Sequence, residues 1–358
     1  MAPSDPALCA EPPTDRNVKH VVLGDLLFPT WFQSIYPEDL VSKDTDRLYV
    51  CRWCFCYSCD SLAYAQHARR CHHRTTPPGT KVYDHGGYSV WELDGECHKL
   101  YAQNLSLFAK LFLDHKSVFF DVASFLYYLL VFTDPKDSDN YYVLGFFSKE
   151  KLSWDANNLA CILVFPPYQR KQLGKLLMGV SYKISSWERD SGLIGGPERP
   201  LSELGRRSYT RFWEERIARY LLLRVGKTGE AEVPGSVPLR QKSPKQSKRK
   251  PSHELVTVQD IGLATGMLTE DVITALKGLG VVEPATPAKR RKTRDASGEA
   301  GLGEDAATVL IRKSKVLEWA RSHHMALRDP VRDEGFLGKW APHDAAEESS
   351  VDGGESDR

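Results

Sequence analysis

Cys51, Cys54, His67 and Cys71 stand in a Cys-x2-Cys-x12-His-x3-Cys spacing. A tight knuckle and a second pair one helical turn apart supply the four soft or borderline ligands that close a tetrahedron around zinc. Four protein ligands leave no coordination position open, so the expected role is structural rather than hydrolytic. Cys56 and Cys59 offer a rival Cys-x2-Cys knuckle in the same stretch. Cys51 and Cys54 are preferred because the strand-like Arg47-Leu-Tyr-Val50 leads directly into them, and Leu62 to Cys71 is expected to be the helix carrying the second pair. Five of the eight cysteines lie between residues 51 and 71 beside histidines. That clustering points to metal binding in a reducing compartment, not to disulfides.

A second chemical signal lies downstream. Asn158-Leu-Ala-Cys-Ile-Leu-Val-Phe165 is an apolar run of strand length halted by Pro166-Pro167, and is expected to be a central strand buried on both faces. After Tyr168 comes Gln169-Arg-Lys-Gln-Leu-Gly-Lys175, and then Leu176, Leu177, Val180, Ile184 and Trp187 recur at helical spacing. A strand, a basic glycine-containing turn and a helix together aim free backbone N–H groups at a phosphate. Any strand-to-helix connection can contain glycine and lysine, so this signal is weak alone. Glu198, in a Gly/Pro-rich turn, reads by itself as a solvated carboxylate.

The elements that must position these groups fall into three compositional zones between two polar ends: a dense apolar stretch to about residue 225, a Pro/Ser/Lys-rich segment and a second short apolar stretch. Residues 1–17 are Pro-rich and acidic, without a hydrophobic signal core, and are expected to be disordered. Residues 18–80 form the expected zinc module and 81–225 a dense core. Residues 226–252 form a basic linker with little to bury. Residues 253–326 are expected to hold a helix-turn-helix part interrupted by a basic insert at 284–306, and 327–358 an acidic disordered tail. Within the former, Asp260 or Thr257 precedes one helical pattern and Thr269-Glu-Asp271 caps another carrying Val272, Leu276 and Leu279. Thr308 to Ile311 reads as a strand, followed by a helix from Ser314 to about His323. With 48 basic against 47 acidic residues, no global field draws the molecule onto nucleic acid or acidic lipid. No apolar run reaches the length that spans a bilayer, so no membrane partner is expected.

Several motifs follow the zinc spacing in register: Pro77-Pro-Gly79, Asn104-Leu-Ser-Leu-Phe-Ala-Lys-Leu-Phe-Leu-Asp-His-Lys116, Gly145-Phe-Phe-Ser-Lys-Glu150, Ala160-Cys-Ile162, Pro167-Tyr-Gln-Arg170 and Gly196-Pro-Glu-Arg-Pro-Leu-Ser202. From about Val21 to Tyr220 the chain resembles the MYST family of histone acetyltransferases. Asn157-Asn-Leu-Ala-Cys-Ile and Ile194-Gly-Gly-Pro-Glu are similar to the fungal silencing-associated (SAS-type) branch. The resemblance implies an α/β (α+β) chain with a GNAT-like acetyl-CoA-binding core. An N-terminal C2HC zinc finger and a C-terminal helix-turn-helix or winged-helix-like part flank that core. It also implies acetyl transfer to a lysine ε-amine, on the histone H4 tail, in chromatin silencing.

Residue by residue, the resemblance places the acetyl and pantetheine contacts on Cys161, Ile162, Leu163 and Val164. The pyrophosphate turn falls on Gln169, Arg170, Lys171, Gln172, Leu173, Gly174 and Lys175, with a further cofactor contact at Ser202. Glu198 matches the general base, Lys116 the autoacetylated lysine, and Cys161 a cysteine assigned as nucleophile, here expected to line the cofactor instead. Only a neutral amine attacks a thioester, and a lysine ammonium of reference pKa about 10.4 therefore needs a carboxylate beside it. The family's Gln-Arg-x-Gly-x-Gly becomes Gln169-Arg-Lys-Gln172-Leu-Gly174, so the first glycine is missing. If that position requires positive φ, Gln172 carries strain of order ~1 kcal/mol. Ser106, where the family often has cysteine, is expected to be a packing change.

Lys248-Arg-Lys250 and Lys289-Arg-Arg-Lys292 suit nuclear import or phosphate contacts. The expected partners are histone tails or the nucleosome and the accessory subunits of a small complex, in the nucleus. No reader domain is expected in the short segment before the zinc module, so targeting is expected to come from those subunits. A weakened, non-catalytic chromatin adaptor is the main alternative, and a DNA-binding regulator a second one that leaves the enzyme-like core unexplained.

Overall fold

The computed structural model describes residues 16–153, 157–188, 194–223, 253–283 and 308–342. The expectations for residues 1–15, the linker at 226–252, the insert from 284 and the tail beyond 342 lie outside these. The chain forms two compact units, one of residues 1–202 with 330–358, the other of Glu203–Asp329.

The first unit contains two sheets. In the smaller, β1 (Val18–Leu23) pairs antiparallel with β2 (Leu26–Pro29) and parallel with β3 (Thr45–Val50), which pairs with the short β4 (Tyr57–Ser58). In β1 the side chains of Val18, Val21 and Leu23 are buried, so a half-buried pattern sets the register. Arg16 and Asn17, expected to belong to a disordered end, donate side-chain hydrogen bonds to the carbonyls of Thr30 and Ser34.

The larger sheet has the order β10-β9-β8-β7-β6-β5. Its strands are β5 (Thr80–His85), β6 (Tyr88–Asp94), β7 (Phe125–Asp134), β8 (Asp137–Glu150), β9 (Asn157–Val164) and β10 (Ile194–Pro197). All neighbours are antiparallel except β9 and β10, which run parallel. Helix α2 (Lys99–Lys110) contributes Leu105 and Phe108 to the core on one face, and α3 (Leu173–Trp187) contributes Leu177, Val180 and Ile184 to the core on the other. The first core is shared with the small sheet, since Leu48 and Val50 join Leu105, Phe108 and Phe165 in it. An α-helix on each face of a mostly antiparallel sheet gives the expected mixed α/β class.

β9 is not a central strand buried on both faces. It lies next to the edge strand β10, and Ala160, Cys161, Ile162 and Val164 are half-buried. Among the described residues β9 pairs with β10 only at Asn157 and Leu159, so the side of β9 away from β8 has no strand partner there over the rest of its length.

Composition assigned residues up to 225 to the core and everything from 327 to a tail, but packing divides the chain differently. Residues 330–342 belong to the first unit: Val331, Phe336 and Trp340 are buried in the α3-side core. Leu337 N–H donates to the Val82 carbonyl (3.0 Å), and Phe336 bridges Tyr83 on the edge strand β5. Lys183 of α3 pairs with Asp333 (2.6 Å) and Lys339 with Glu92 (2.8 Å).

The second unit starts with α4 (Glu203–Leu223), followed by β11 (His253–Thr257), α5 (Val258–Thr265), α6 (Thr269–Leu279), β12 (Val282–Glu283), β13 (Thr308–Arg312) and α7 (Lys313–Ser322). Its three strands form one antiparallel sheet in the order β11-β13-β12. Thr257 caps α5 in a reciprocal box with Asp260. The N-cap of α6 is Leu268, without a side-chain hydrogen bond; Glu270 and Asp271 instead place negative charge in its first turn. Arg216 of α4 donates to the Thr265 carbonyl (2.7 Å) and Arg219 to that of Ala326 (3.1 Å), tying α4 to this unit.

Candidate metal centre and acetyl-transfer site

The metal centre is built on a turn and a helix. Cys51 follows β3 directly, its N–H donating to the Cys56 carbonyl (2.8 Å), while Phe55 N–H donates to the Cys51 carbonyl (2.9 Å). Phe55 takes φ 60° to close this knuckle and delivers Cys54 to the same side as Cys51. Helix α1 (Ser61–Arg70), capped by Asp60, which accepts from Leu62 N–H (2.8 Å), presents His67, and Cys71 follows its last turn. One ligand atom from each of Cys51, Cys54, His67 and Cys71 lies within 4.8 Å of the others, and Cys54 Sγ stands 3.1 Å from His67 Nε2.

Zn–S bonds of about 2.3 Å and Zn–N bonds of about 2.0 Å give tetrahedral edges of roughly 3.5 Å, so the four residues fit zinc. Hydrogen bonding to Cys51 pushes the Cys54 thiol far up, whereas hydrogen bonds with Cys51 and Cys54 pull Cys71 down. A divalent cation removes that conflict by favouring all three thiolates. Cys56 and Cys59 stand outside the four-ligand cluster. Cys56 Sγ accepts from Asn104 (3.5 Å), and the exposed Cys59 donates to the Leu40 carbonyl (3.4 Å).

Phe55, inside the knuckle, meets Phe108 (5.4 Å) and Phe165 (5.8 Å) at ring distance, and Phe108 and Phe165 meet each other (4.9 Å). Phe165 ends the apolar run of β9. The metal knuckle is therefore packed against the strand that bears Cys161.

A bulge decides where Cys161 points. Ser148 of β8 pairs with Cys161 but Lys149 pairs with Leu159, leaving Ala160 as the extra residue. Leu159 accordingly faces the α3-side core, while Cys161 and Leu163 face the core shared with α2, and Ile162 and Val164 face α3. Cys161 Sγ lies 3.7 Å from Lys116 Nζ, and Lys116 is only 8% exposed. Behind them Tyr127, its phenol pushed up to about 12 by burial, shares a 3.0 Å hydrogen bond with Ser106. Ser106 is thus a hydrogen-bonding group in this wall and not only a packing change. Nothing in the local pattern of apolar residues announces the bulge or the Tyr127 contact.

Glu198 follows β10, and its N–H donates to the Leu159 carbonyl (2.9 Å). That bond fixes the carboxylate-bearing residue two positions along β9 from Cys161. Glu198 is half-buried, with Oε1 closed off from solvent. Ser202 lies exposed beyond it, before α4.

The turn after β9 begins with a short 3₁₀ turn at Pro166–Tyr168, and Gln169 donates through Nε2 back to the Val164 carbonyl (2.8 Å). Arg170 and Gln172 both take left-handed φ, 63° and 64°. Gln172 is the N-cap residue of α3, its carbonyl accepting from Lys175 N–H (3.0 Å), and its side chain makes no capping bond. Arg170, Lys171 and Gln172 are exposed, Leu173 is buried, and Gly174 and Lys175 are half-buried in the first turn of α3. A helix N-terminus preceded by the exposed basic side chains of Arg170 and Lys171 suits a phosphate group. Gln172 thus stands in the left-handed conformation that favours glycine.

Residues 15–71 match the MYST family zinc finger domain, and residues 76–299 match the MOZ/SAS family. The chain belongs to the MOZ/SAS family. Over 268 residues this MOZ/SAS chain is 38% identical to "Histone acetyltransferase MOF" of Drosophila melanogaster, covering 75% of the chain and 28% of that protein. It is 38% identical over 264 residues to "Histone acetyltransferase Tip60 homolog" of Caenorhabditis elegans, covering 74% of the chain and 51% of the relative. It is 34% identical over 282 residues to "Histone acetyltransferase ESA1" of Debaryomyces hansenii, covering 75% and 52%. The MOZ/SAS chain thus spans between about a quarter and a half of the length of these relatives. Among its described residues no helix is long and apolar enough to cross a membrane.

Proposed function

We propose that this MOZ/SAS chain is an acetyl-CoA-dependent protein lysine acetyltransferase that acts on a histone tail, that of H4, with Glu198 as general base. The observation that carries the reading is the anchoring of Glu198 on the Leu159 carbonyl, beside the unpaired stretch of β9 that bears Cys161. Family membership and relatives named as histone acetyltransferases support it.

When bound, acetyl-CoA supplies a thioester carbon for transfer. Cys161, Ile162, Leu163 and Val164 would line its acetyl and pantetheine end, residues 169–175 would hold the pyrophosphate on α3, and Ser202 would add a further contact. The substrate lysine arrives as an ammonium, and the Glu198 carboxylate takes its proton so that the neutral amine attacks directly. Cys161 serves as a wall of the site, where it already contacts Lys116. Lys116 is the residue expected to become acetylated. The zinc centre positions the wall through Phe55 and Phe165. A role in chromatin silencing, a nuclear location and activation by accessory subunits complete this reading.

The test incubates the protein with labelled acetyl-CoA and histone H4 or H3 peptides, or nucleosomes, with Glu198→Gln as control. Transfer to H4 that Glu198→Gln reduces by orders of magnitude at neutral pH supports the proposal. Full activity of Glu198→Gln removes Glu198 as base. Loss of all activity in folded Cys161→Ser brings back an acetyl-cysteine route. No transfer in any format, including with co-purified partners, leaves a chromatin adaptor as the function.

A further inference from the structure

Lys116 is a nine-tenths buried lysine whose ammonium nitrogen is directed at a single sulfur. Its Nζ stands 3.7 Å from Cys161 Sγ and 5.9 Å from the centre of the Phe119 ring. Among the described residues no carboxylate lies within ion-pair reach of it. A buried lysine is normally placed against an acid or a set of carbonyls. Here its polar partner is a thiol on a half-buried strand, which a small oxidant can reach.

We propose that Lys116 and Cys161 form an oxidant-responsive pair that closes to a covalent sulfur–nitrogen bond when peroxide oxidises the thiol. In the first step the Cys161 thiolate attacks hydrogen peroxide: the O–O bond breaks, a sulfur–oxygen bond forms and hydroxide leaves. Sulfur loses two electrons and the peroxide gains them. In the second step the hydroxide takes the proton of the Lys116 ammonium, giving the first water; the neutral amine attacks the sulfenic sulfur, an S–N bond forms, the S–O bond breaks, and a second water leaves with a proton from the amine. The sum is one thiol, one amine and one peroxide giving one sulfenamide and two waters. Two equivalents of an external thiol reverse it, returning both side chains and one external disulfide.

Sulfenic acids condense in this way with a nearby nitrogen. An amine already within 3.7 Å of the sulfur has the advantage of an intramolecular reactant over further oxidation by peroxide in solution. Cys161 is held by pairing with Ser148, whereas Lys116 lies on an irregular segment after α2, so the long lysine stem supplies the closing movement. The bond would consume the amine and mask the sulfur together, giving a reversible block of this wall of the site.

The experiment exposes the full-length protein, with Lys116 shown unmodified in an untreated digest, to a peroxide titration and maps the peptides by tandem mass spectrometry. Intact mass alone does not decide it, since a disulfide among the other cysteines also removes two hydrogens. The expected result is a linked pair of peptides containing Lys116 and Cys161, two hydrogen masses lighter than their sum. It is lost on treatment with dithiothreitol and absent from Lys116→Arg and Cys161→Ser. Trapping by dimedone and conversion to sulfinic acid at Cys161 should rise several-fold in Lys116→Arg. Two results overturn the proposal: Cys161 trapped as sulfenic acid in the wild type with no linked peptide, or Cys161 still reduced when the exposed Cys59 and Cys97 are fully oxidised. The readout is covalent structure, so it stands or falls independently of acetyl transfer.

Discussion

Val331 lies against the backbone of α3 at Gly179, where a Cβ would come within 2.5 Å of Val331 Cγ2. The missing side chain lets the returning C-terminal segment seat on the helix that follows the phosphate turn. Phe336 and Trp340 then pack near Trp187 at the far end of that helix. Gly179→Ala should overpack this contact and destabilise the protein by about 1–3 kcal/mol in urea titration. Val331→Ala should recover part of the loss, so that the double mutant departs from additivity. Additive effects would mean that Val331 has no part in the seat.

Helix α1 buries none of its side chains, although its ten residues carry one metal ligand and precede another. Ten residues are too few for a stable isolated helix in water, and beyond Tyr64, which stacks on Tyr49 at the edge of the core, the metal is its main anchor. Removing zinc with a strong chelator, or replacing Cys71 with Ser, should melt α1 and loosen the Phe55 contacts. Expected are a drop in far-ultraviolet helical signal and several degrees lower Tm, reversed by added zinc in the wild type only. An unchanged Tm after the metal is shown to be gone would refute the structural role.

Lys149 is 2% exposed on β8, its Nζ bonded to Ser185 Oγ and the Ser181 carbonyl inside α3. Burial pulls its pKa from 10.5 down to about 8, against the pull of Glu188 and Glu92 in the opposite direction. Below pH 8 the ammonium is charged in both folded and unfolded chains, and its full desolvation cost is present. Between about 8 and 10.5 the unfolded chain binds the extra proton, so stability rises with pH there. The shift corresponds to roughly 3 kcal/mol. Lys149→Met should therefore be furthest ahead of, or least behind, the wild type below pH 8, with the wild type gaining on it as pH climbs to 10.5. Parallel stability curves for the two proteins would reject this assignment.

The zinc spacing was the most legible feature, because ligand identity and a helical turn between His67 and Cys71 constrain it locally. The strand-turn-helix after Asn157 was legible for the same reason: an apolar run, a proline stop and a 3.6-residue period are local signals. What the sequence did not reveal depends on pairing between distant residues. The Ala160 bulge exists only as a mismatch between β8 and β9, yet it sends Cys161 to the Lys116 side. The burial of Lys149 likewise depends on distant residues, Ser181 and Ser185, which close over it from α3. Val331, Phe336 and Trp340 are too sparse to suggest an element, and they are buried because β5 offers an open sheet edge.

Gln172 occupies the left-handed region with φ 64° and ψ 6°, at the position where the resemblance implies a glycine. An L-residue there costs about 1–2 kcal/mol, while glycine costs roughly 0.4–1 kcal/mol in extra unfolded-state entropy. Gln172→Gly should therefore stabilise the ligand-free protein slightly, by about 0.5 kcal/mol. Gln172→Val, β-branched and poorly suited to positive φ, should destabilise it clearly. The expected order of Tm is Gly above Gln above Val. Because Gln172 is exposed at the start of α3, trimming its side chain should also ease the approach of a pyrophosphate to the first-turn amides. Calorimetric titration with coenzyme A should then give a several-fold lower Kd for Gln172→Gly. A weaker Kd in a more stable Gly variant would show that the glutamine side chain is itself a ligand contact, and an inverted Tm order would show that the turn is not strained.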